Sequence, residues 1–375
     1  MRLLFYISSM RAGGAERVMS VLCNGFAERG NDVYLATNTE APISYRLDEK
    51  VHLLDLYPHG YKDMNRYVRF VSLYRSVHRI ARRVKPDVII AFMGMATKAY
   101  WATRGLSIPV IASEHTTYDR ILPKGDWFRM NYIDRLATRV TVLTQHDYDY
   151  LGRRLPRKVV MPNPLSFPIY TGKTPRCKSV LAVGRLDGWK VKGFDNLIKV
   201  WAEISKLNLG WYLDIAGGGS EDSYAYLQSL VRQYQTEQTV RFLGYRADVD
   251  RLMQEHAVFV LSSRNEGFPM GLLEAMSQGC ACVCFDCISG PNEMITPDVS
   301  GILVENQNLD QLKNALLKVM TDDVLREKLS SNGVEEAERF TEQKIMDRWE
   351  CPCNHCKGSQ AIQTDCTAIQ QLQAH

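Results

Sequence analysis

Residues 2–37 read RLLFYISSMRAGGAERVMSVLCNGFAERGNDVYLAT. The stretch opens with a short apolar run at residues 3–7, passes a glycine pair, continues with apolar residues at helical spacing and closes with a second apolar run at residues 33–36. Apolar residues that recur every three to four positions indicate an amphipathic helix, and short apolar runs indicate buried strands. The stretch therefore predicts a β-α-β unit, in which a right-handed helical crossover joins two parallel strands.

The same alternation continues along the chain and divides it into two series. Further strands of the first series are predicted at residues 87–92, 110–112 and 140–143. Residues 161–175 contain four prolines and one glycine, which predict a linker without regular structure. The second series has predicted strands at residues 179–183, 211–215, 240–243, 258–261 and 281–285, and predicted helices at residues 194–205, 224–235 and 271–278.

Two such series predict an α/β chain with two doubly wound, Rossmann-like domains. We expect the first domain at residues 1–165 and the second at residues 176–340, followed by a C-terminal helix at residues 341–350 and a disordered, cysteine-containing tail at residues 351–375. Ligands of doubly wound sheets bind at the carboxyl ends of the strands. The site is therefore expected in a central cleft that the two domains face.

Charge is distributed unevenly along the chain. The net charge is +4, but residues 1–166 carry 25 Lys and Arg against 15 Asp and Glu, so this half is +10 and the remainder is −6. A basic half indicates an anionic partner, which can be acidic lipid, nucleic acid or a phosphorylated substrate, and a merely solvated surface is the alternative. No apolar run approaches the roughly 18 residues that span a bilayer, and the first residues lack the features of a signal peptide. We therefore expect a cytoplasmic protein.

The loop after the first predicted strand contains Gly13 and Gly14 at the start of a helix. Free backbone N–H groups and the helix dipole at such a position favour a phosphate. Neither a dinucleotide-binding fingerprint nor a P-loop is present, and a tight turn between a strand and a helix also needs glycine. A phosphate-binding loop and a purely structural turn are both consistent with this pair.

A second loop, residues 184–195, reads GRLDGWKVKGFD and again leaves a strand and enters a helix. Arg185, with Lys190 or Lys192, would place fixed cations against the phosphates of a departing nucleoside diphosphate. Two basic residues in a loop also occur as a solvated edge. The loop therefore indicates diphosphate binding only together with other clusters.

The third cluster, residues 266–274, reads EGFPMGLLE and follows a predicted strand. Glu266 would lie in a loop, Gly271 would open a helix, and Glu274 would follow about one turn later on its inner face. Two such carboxylates accept hydrogen bonds from sugar hydroxyls and from a ribose diol, while the helix N-terminus supports a diphosphate. Electrostatic stabilisation of the first turn by Glu274 is the simpler alternative.

The three clusters in this order resemble glycosyltransferase family 4 (group 1), the retaining GT-B nucleotide-sugar glycosyltransferases, over residues 2–349. Residues 113–115, 290–293 and 301–304 also fit this family. The resemblance implies a GT-B fold and the transfer of a hexose or N-acetylhexosamine, expected from a UDP-sugar, to a lipid-linked or polysaccharide acceptor. Such a reaction belongs to the synthesis of surface glycans such as O-antigen, capsule or exopolysaccharide.

The resemblance also assigns roles to residues. It implies that Arg185 and Lys192 bind the donor diphosphate, that Glu274 binds the ribose, that Glu266 binds the transferred sugar, and that His115 lies near the reacting centre and the acceptor. The implied donor-binding set further includes Gly13, Gly14, Lys190, Phe268, Pro269, Met270 and Gly271. The family lysine stands directly before a glycine, as Lys192 does, whereas Lys190 has the usual distance from the arginine. Lys192 is favoured, because the Gly-Phe-Asp that follows it marks a helix start.

No metal and no other cofactor is expected, since protein cations face the diphosphate in such enzymes. The sequences Asp147-Tyr148-Asp149 and Asp248-Val249-Asp250 match the Asp-x-Asp pattern that holds a divalent ion in other transferases. Both stand at predicted helix starts, where acids stabilise the helix dipole, and capping is therefore the preferred interpretation.

Residues 61–85 predict a basic helix interleaved with aromatic residues, and residues 124–129 form a second basic and aromatic patch. Arginines that reach lipid phosphates and aromatics at headgroup level would hold the protein on the anionic inner face of the cytoplasmic membrane. Polyprenyl-diphosphate saccharides, which are common acceptors in the resembled family, agree with this location. The alternative is an ordinary amphipathic helix that packs its aromatics on the sheet.

Other hypotheses stay open at this point. A UDP-sugar epimerase with a GT-B fold would share the donor site, and a membrane- or nucleic-acid-binding module would use only the basic half. A nucleic-acid partner is not expected for the leading hypothesis. Six of the ten cysteines lie in apolar segments and are expected to be reduced thiols, while Cys351, Cys353, His355 and Cys356 offer a zinc site as the alternative to a disordered tail.

Overall fold

The computed structural model describes residues 1–119 and 124–355, which divide into two compact units. Residues 1–164 and 342–355 form unit 1, and residues 165–341 form unit 2. No helix or strand lies between Val160 and Cys177, where the prolines predicted a linker. From Leu165 onward this stretch packs on unit 2, since the Leu165 N–H donates to the Phe340 carbonyl and the Tyr170 N–H donates to the Ser277 carbonyl.

Unit 1 is built on a parallel sheet of seven strands in the order β3-β2-β1-β4-β5-β6-β7. The strands are β1 (Arg2–Tyr6), β2 (Asp32–Thr37), β3 (His52–Asp55), β4 (Val88–Phe92), β5 (Val110–Ser113), β6 (Arg139–Val142) and β7 (Lys158–Val160). Its helices are α1 (Gly14–Glu28), α2 (Arg66–Val84), α3 (Met95–Thr103), α4 (Lys124–Phe128), α5 (Gln145–Leu151) and α14 (Glu342–His355). In the quoted β-α-β unit β1 and β2 pair in parallel, as predicted, and α1 connects them.

Unit 2 is built on a parallel sheet of six strands in the order β10-β9-β8-β11-β12-β13. The strands are β8 (Cys177–Val183), β9 (Tyr212–Ala216), β10 (Val240–Gly244), β11 (His256–Leu261), β12 (Ala281–Asp286) and β13 (Ile302–Glu305). The helices are α6 (Trp189–Lys192), α7 (Phe194–Ser205), α8 (Glu221–Gln233), α9 (Val249–Glu255), α10 (Met270–Ser277), α11 (Pro291–Met294), α12 (Leu309–Thr321) and α13 (Asp323–Ala337). Two doubly wound parallel sheets confirm the predicted α/β fold class.

Three strands are missing from the sequence-based assignment, and all three lie at sheet edges. β3 and β7 end the sheet of unit 1, and β13 ends that of unit 2. β3 has no buried residue, so it lacks the apolar run that identifies a central strand. Edge strands pair on one side only, and their short, half-polar sequences resemble loops.

The C-terminal helix extends further than predicted. α14 continues past residue 350 to His355, so Cys351 and Cys353 lie within a helix and the Cys353 side chain is buried. Arg29, directly after α1, pairs with Asp347 at 2.7 Å and with Glu350 at 2.8 Å, and these pairs tie α14 to the rest of unit 1. Residues 356–375 of the predicted tail, and with them Cys356 of the zinc hypothesis, lie outside the described residues.

Each sheet has one point where the strand order reverses direction. In unit 1 the chain leaves β1 toward β2 and β3 and then returns to β4 on the other side of β1, and in unit 2 β8 and β11 flank the corresponding point. In doubly wound sheets the loops that follow the two strands at such a point diverge, and ligands bind in the crevice at this carboxyl edge.

Candidate functional site

The centre of the candidate site in unit 2 is an ion pair between the loops that follow β8 and β11. Lys192 Nζ lies 2.7 Å from Glu266 Oε1, and the Ser263 hydroxyl donates to the same oxygen at 2.6 Å. The Glu266 side chain is 12% exposed and that of Lys192 is 32% exposed. The crevice between β8 and β11 thus holds a fixed cation and a fixed carboxylate side by side.

Gly193 explains why Lys192 reaches Glu266. Its φ is +68°, and a Cβ at this position would lie 1.9 Å from the Ser262 carbonyl oxygen, so only glycine is accommodated. The Ser262 hydroxyl donates to the Lys192 carbonyl at 2.9 Å. This close contact places Lys192 at the crevice, whereas the Lys190 side chain on the same turn is exposed.

Arg185 lies two residues after the end of β8 and is exposed. Its neighbour Asp187 accepts hydrogen bonds from the Ser220 backbone N–H at 2.8 Å and from the Ser220 hydroxyl at 2.7 Å, and these bonds lower the pKa of the Asp187 carboxyl. Within residues 1–119 and 124–355, no carboxylate forms an ion pair with Arg185. Its guanidinium is therefore a solvent-facing cation at the carboxyl edge of the sheet.

The third cluster folds as a loop and a helix start, one residue earlier than predicted. Pro269 precedes α10, which begins at Met270 rather than at Gly271. Glu274 lies in the second turn of this helix and is 4% exposed. The Phe268 ring is buried against Phe340, with ring centroids 5.6 Å apart, so this side chain contributes to packing.

Sequence reasoning missed the polar residues that support this pair. Ser263 donates to Glu266, and Arg264 binds Asp195 of α7 through both carboxylate oxygens. Asp195 and Arg264 are separated by 69 positions in the chain. The one signal available was that Ser263 and Arg264 stand within three residues of Glu266, because nothing local relates an arginine to a distant aspartate.

His115 belongs to unit 1, where three contacts hold its ring just after β5. The ring stacks on Phe92 with centroids 3.9 Å apart, Nε2 lies 3.0 Å from Ser113 Oγ, and Nδ1 lies 3.1 Å from Asn163 Oδ1. Because Asn163 Oδ1 is an acceptor, Nδ1 carries the hydrogen. Burial lowers the pKa of His115 to about 3, so the ring is neutral at physiological pH. A neutral ring with both nitrogens engaged is suited to hydrogen bonding rather than to proton transfer.

Groups of unit 1 itself surround the Gly13-Gly14 loop. The Gly13 N–H donates to the Tyr45 hydroxyl at 3.0 Å. Glu16 Oε2 lies 2.2 Å from the point that a Cβ at position 13 would occupy, so residue 13 must be glycine for this side chain to fold back. A phosphate at the N-terminus of α1 would meet that carboxylate. The structure thus accounts for the glycine as a turn residue, and phosphate binding there stays a prediction.

The second basic and aromatic patch differs from its prediction at Arg129. This residue is not a surface cation, because it pairs with Glu114 at 2.8 Å and with Asp134 at 3.0 Å, and all three side chains are largely buried. Burial and repulsion from Glu114 raise the pKa of Asp134 to about 7. Two carboxylates therefore share one arginine, which anchors the segment carrying the exposed Trp127 and Phe128.

The two Asp-x-Asp sequences are engaged in local contacts. Asp147 is buried in the first turn of α5 and accepts hydrogen bonds from the Thr117 hydroxyl, the Tyr118 N–H and the Thr144 hydroxyl. The cap of that helix is Thr144 rather than an aspartate. Asp248 stands at the N-cap position of α9 and pairs with Arg246 through both oxygens, at 2.8 and 2.6 Å.

Helix α2 is the predicted basic helix. Leu73, Val77 and Ala81 bury one face, while the rings of Tyr67 and Phe70 are 84% and 60% exposed. The exposed face also carries all its arginines, Arg66, Arg69, Arg75, Arg79, Arg82 and Arg83. None of them forms an ion pair within the described part of the chain. Because the rings of Tyr67 and Phe70 are mostly exposed, the aromatics of the first two turns do not pack on the sheet.

None of the helices in the described residues combines the length and the apolar composition that a membrane crossing requires.

Both halves of the chain match known family models. Residues 171–336 match the family model for glycosyl transferases group 1, and residues 12–166 match the model for glycosyltransferase family 4. The amylovoran biosynthesis glycosyltransferase AmsD of Erwinia amylovora is 26% identical over 365 residues, which cover 93% of this chain and 98% of that protein.

A second relative is the GalNAc-alpha-(1->4)-GalNAc-alpha-(1->3)-diNAcBac-PP-undecaprenol alpha-1,4-N-acetyl-D-galactosaminyltransferase of Campylobacter jejuni. It is 25% identical over 359 residues, which cover 93% of this chain and 97% of that protein. Among solved structures, HepE of Anabaena in complex with UDP and glucose superposes with a TM-score of 0.79 at 20% identity, covering 95% of this chain and 100% of that one. The two matched models together span most of the chain, and the shared fold is that of GT-B transferases. The chain therefore belongs to the group 1, family 4 glycosyltransferases and is a glycosyltransferase with the GT-B fold.

Proposed function

We propose that this glycosyltransferase moves a hexose or N-acetylhexosamine from a UDP-sugar, with retention of anomeric configuration, to a lipid-linked or polysaccharide acceptor of a bacterial surface glycan. The observation that carries the proposal is the Lys192–Glu266 pair in the crevice of unit 2, at 2.7 Å. Lys192 and the exposed Arg185 offer cations to a departing diphosphate, whose charge develops in the transition state. Glu266 offers a carboxylate to sugar hydroxyls, and Glu274 offers one to the ribose.

The nature of donor and acceptor is supported by relatives. HepE binds UDP and glucose, and the name of the Campylobacter relative specifies a diphosphate-linked undecaprenol saccharide. For this chain both are proposals: a UDP-sugar as donor and a polyprenyl-diphosphate saccharide as acceptor. The unpaired arginines of α2 support a peripheral position on the anionic, cytoplasmic face of the membrane. The reaction is proposed to need no metal, since Arg185 and Lys192 supply the positive charge.

Nucleotide binding is the first test. A nucleotide at 100 times its dissociation constant adds about 2.7 kcal/mol of stability, which a thermal unfolding assay resolves. We expect UDP to raise the unfolding temperature more than GDP or ADP does. Stabilisation by GDP or ADP alone would refute the choice of uridine while leaving the transferase class untouched.

Product analysis tests the chemistry. With the UDP-sugar that stabilises best and a membrane extract as acceptor source, NMR of the product should show a new glycosidic bond with the donor's anomeric configuration. The opposite configuration would refute retention. Free UDP with an isomerised sugar and no glycoside would favour the epimerase alternative.

A further inference from the structure

Arg264 links the loop after β11 to the two helices that follow β8. Its Nη1 lies 2.8 Å from Asp195 Oδ1 and its Nη2 lies 2.9 Å from Asp195 Oδ2, a two-pronged pairing that fixes both side chains in orientation. Asp195 stands in the first turn of α7. The side chains of Arg264 and Asp195 are 30% and 22% exposed, so water screens the pair only in part.

The same loop also holds the backbone of α6. Helix α6 has four residues, and the last four carbonyls of a helix lack partners within it. The Arg264 side chain donates to the Lys190 carbonyl, and the Arg264 backbone N–H donates to the Val191 carbonyl at 2.8 Å. The Ser262 hydroxyl donates to the Lys192 carbonyl. Three consecutive carbonyls that would otherwise need water are therefore tied to the loop after β11.

These contacts converge on the position of Lys192. At the start of α6 the Trp189 ring packs on Tyr226 with centroids 4.3 Å apart, and these hydrogen bonds hold the remaining part of the helix, which carries Lys192. We propose that Arg264 and Asp195 are positioning residues of the donor site, which clamp α6 and so keep Lys192 Nζ beside Glu266. The inference rests on the proposed role of Lys192 in donor binding. Neither Arg264 nor Asp195 is assigned a contact with the substrate.

The test compares kcat and KM for the sugar donor in Arg264→Ala, Asp195→Asn and Lys192→Ala, and in the double variant of Arg264→Ala with Lys192→Ala. A misplacement of about 1 Å costs up to about 10²-fold in rate, so Arg264→Ala and Asp195→Asn should each lower kcat/KM at least about tenfold. In the Lys192→Ala background, Arg264→Ala should cost less than about twofold, because the group that it positions is already absent. Arg264→Lys should recover part of the loss, since lysine reaches one oxygen but cannot form the fork.

The matched control is Arg251→Ala, which removes an exposed arginine that pairs with Glu255 at 2.9 Å in the same unit. It should keep parent kcat/KM, and the unfolding temperatures of Asp195→Asn and Arg264→Ala should lie near that of this control. Asp195→Asn preserves volume and serves as the decisive variant should Arg264→Ala unfold. Parent kcat/KM in Asp195→Asn, or an equal loss from Arg264→Ala in the Lys192→Ala background, would overturn the clamp. Parent activity in Lys192→Ala would instead overturn the proposed donor site.

Discussion

Lys190 and Lys192 are two positions apart and have the same side chain, but their surroundings in the structure differ. Lys190 is exposed on α6, whereas Lys192 ends that helix next to Gly193 and pairs with Glu266. A salt bridge that is part-buried and shared with Ser263 holds its geometry better than a solvated side chain does. The residue that lies at the crevice is therefore the stronger candidate for diphosphate binding.

The lysine assignment has a direct mutational test. We expect Lys192→Ala and Arg185→Ala each to lower kcat by roughly 10²–10³, which is the scale for losing one preorganised electrostatic stabiliser. Lys190→Ala should have a smaller effect and serves as the matched control on the same turn. Initial rates at saturating donor, with thermal unfolding to verify the fold, measure these effects. An essential Lys190 together with a dispensable Lys192 would show that the assignment is reversed.

His115 offers a second residue-scale prediction. Burial lowers its folded pKa to about 3, against about 6.5 for a free histidine, so its ring should show no titration by NMR between about pH 5 and pH 8. Protonation then favours the unfolded chain, so the stability associated with His115 is present above about pH 6.5 and is lost as the pH falls toward 3. His115→Gln should make the unfolding free energy less dependent on pH in that window. A ring titration midpoint near pH 6.5 would contradict the neutral state.

At the scale of elements, α2 differs from an ordinary surface helix in its charge balance. It carries six arginines and no acidic residue, and its N-terminal turns expose Tyr67 and Phe70. Exposed aromatics are costly in water, and unpaired arginines repel one another along a helix. An anionic membrane surface relieves both effects at once, because the rings enter the interface while the arginines meet phosphates.

Replacing four arginines of α2 tests this contact. Each basic group near an anionic surface contributes about 1 kcal/mol, so the quadruple change to Gln at Arg66, Arg69, Arg79 and Arg82 should release the protein from vesicles of phosphatidylglycerol. Donor hydrolysis should change little, since the proposed diphosphate and sugar ligands Arg185, Lys192 and Glu266 lie in unit 2. Transfer to a lipid-linked acceptor in membranes should fall.

The control for α2 removes the same charge from elsewhere in unit 1, by changes to Gln at the exposed Arg135, Arg153, Arg154 and Arg157. If binding depends on net charge alone, the two variants should be released equally in a vesicle sedimentation assay. Equal retention of the α2 variant and the parent would leave this helix as a solvated face.

At the scale of the whole molecule, the proposed reaction depends on protein cations in place of a metal. Activity should therefore persist in an excess of chelator, and addition of manganese should not raise it. Asp147 accepts three hydrogen bonds from unit 1 itself, which leaves it poorly placed to bind an ion. Loss of turnover in chelator, restored by manganese, would contradict this prediction and direct attention to Asp147 and Asp149.

The sequence by itself determined the two doubly wound units, the proline-rich break between them and the three loops that carry the candidate residues. Hydrophobic periodicity and the placement of glycine and proline are local properties, so a linear pattern is enough to reveal them. The sequence did not predict the edge strand β3, because none of its residues is buried. It did not predict β7, because that strand has only three residues.

Only the tertiary structure decided which of these residues meet. The pairing of Lys192 with Glu266 spans 74 positions and follows from β8 and β11 being neighbours in the sheet. The burial of Arg129 between Glu114 and Asp134 likewise depends on where the chain returns. The sequence shows the sign of each charged residue. The role of that residue depends on its burial and on the partner that it contacts. Burial and partner follow from the order of the strands rather than from local spacing.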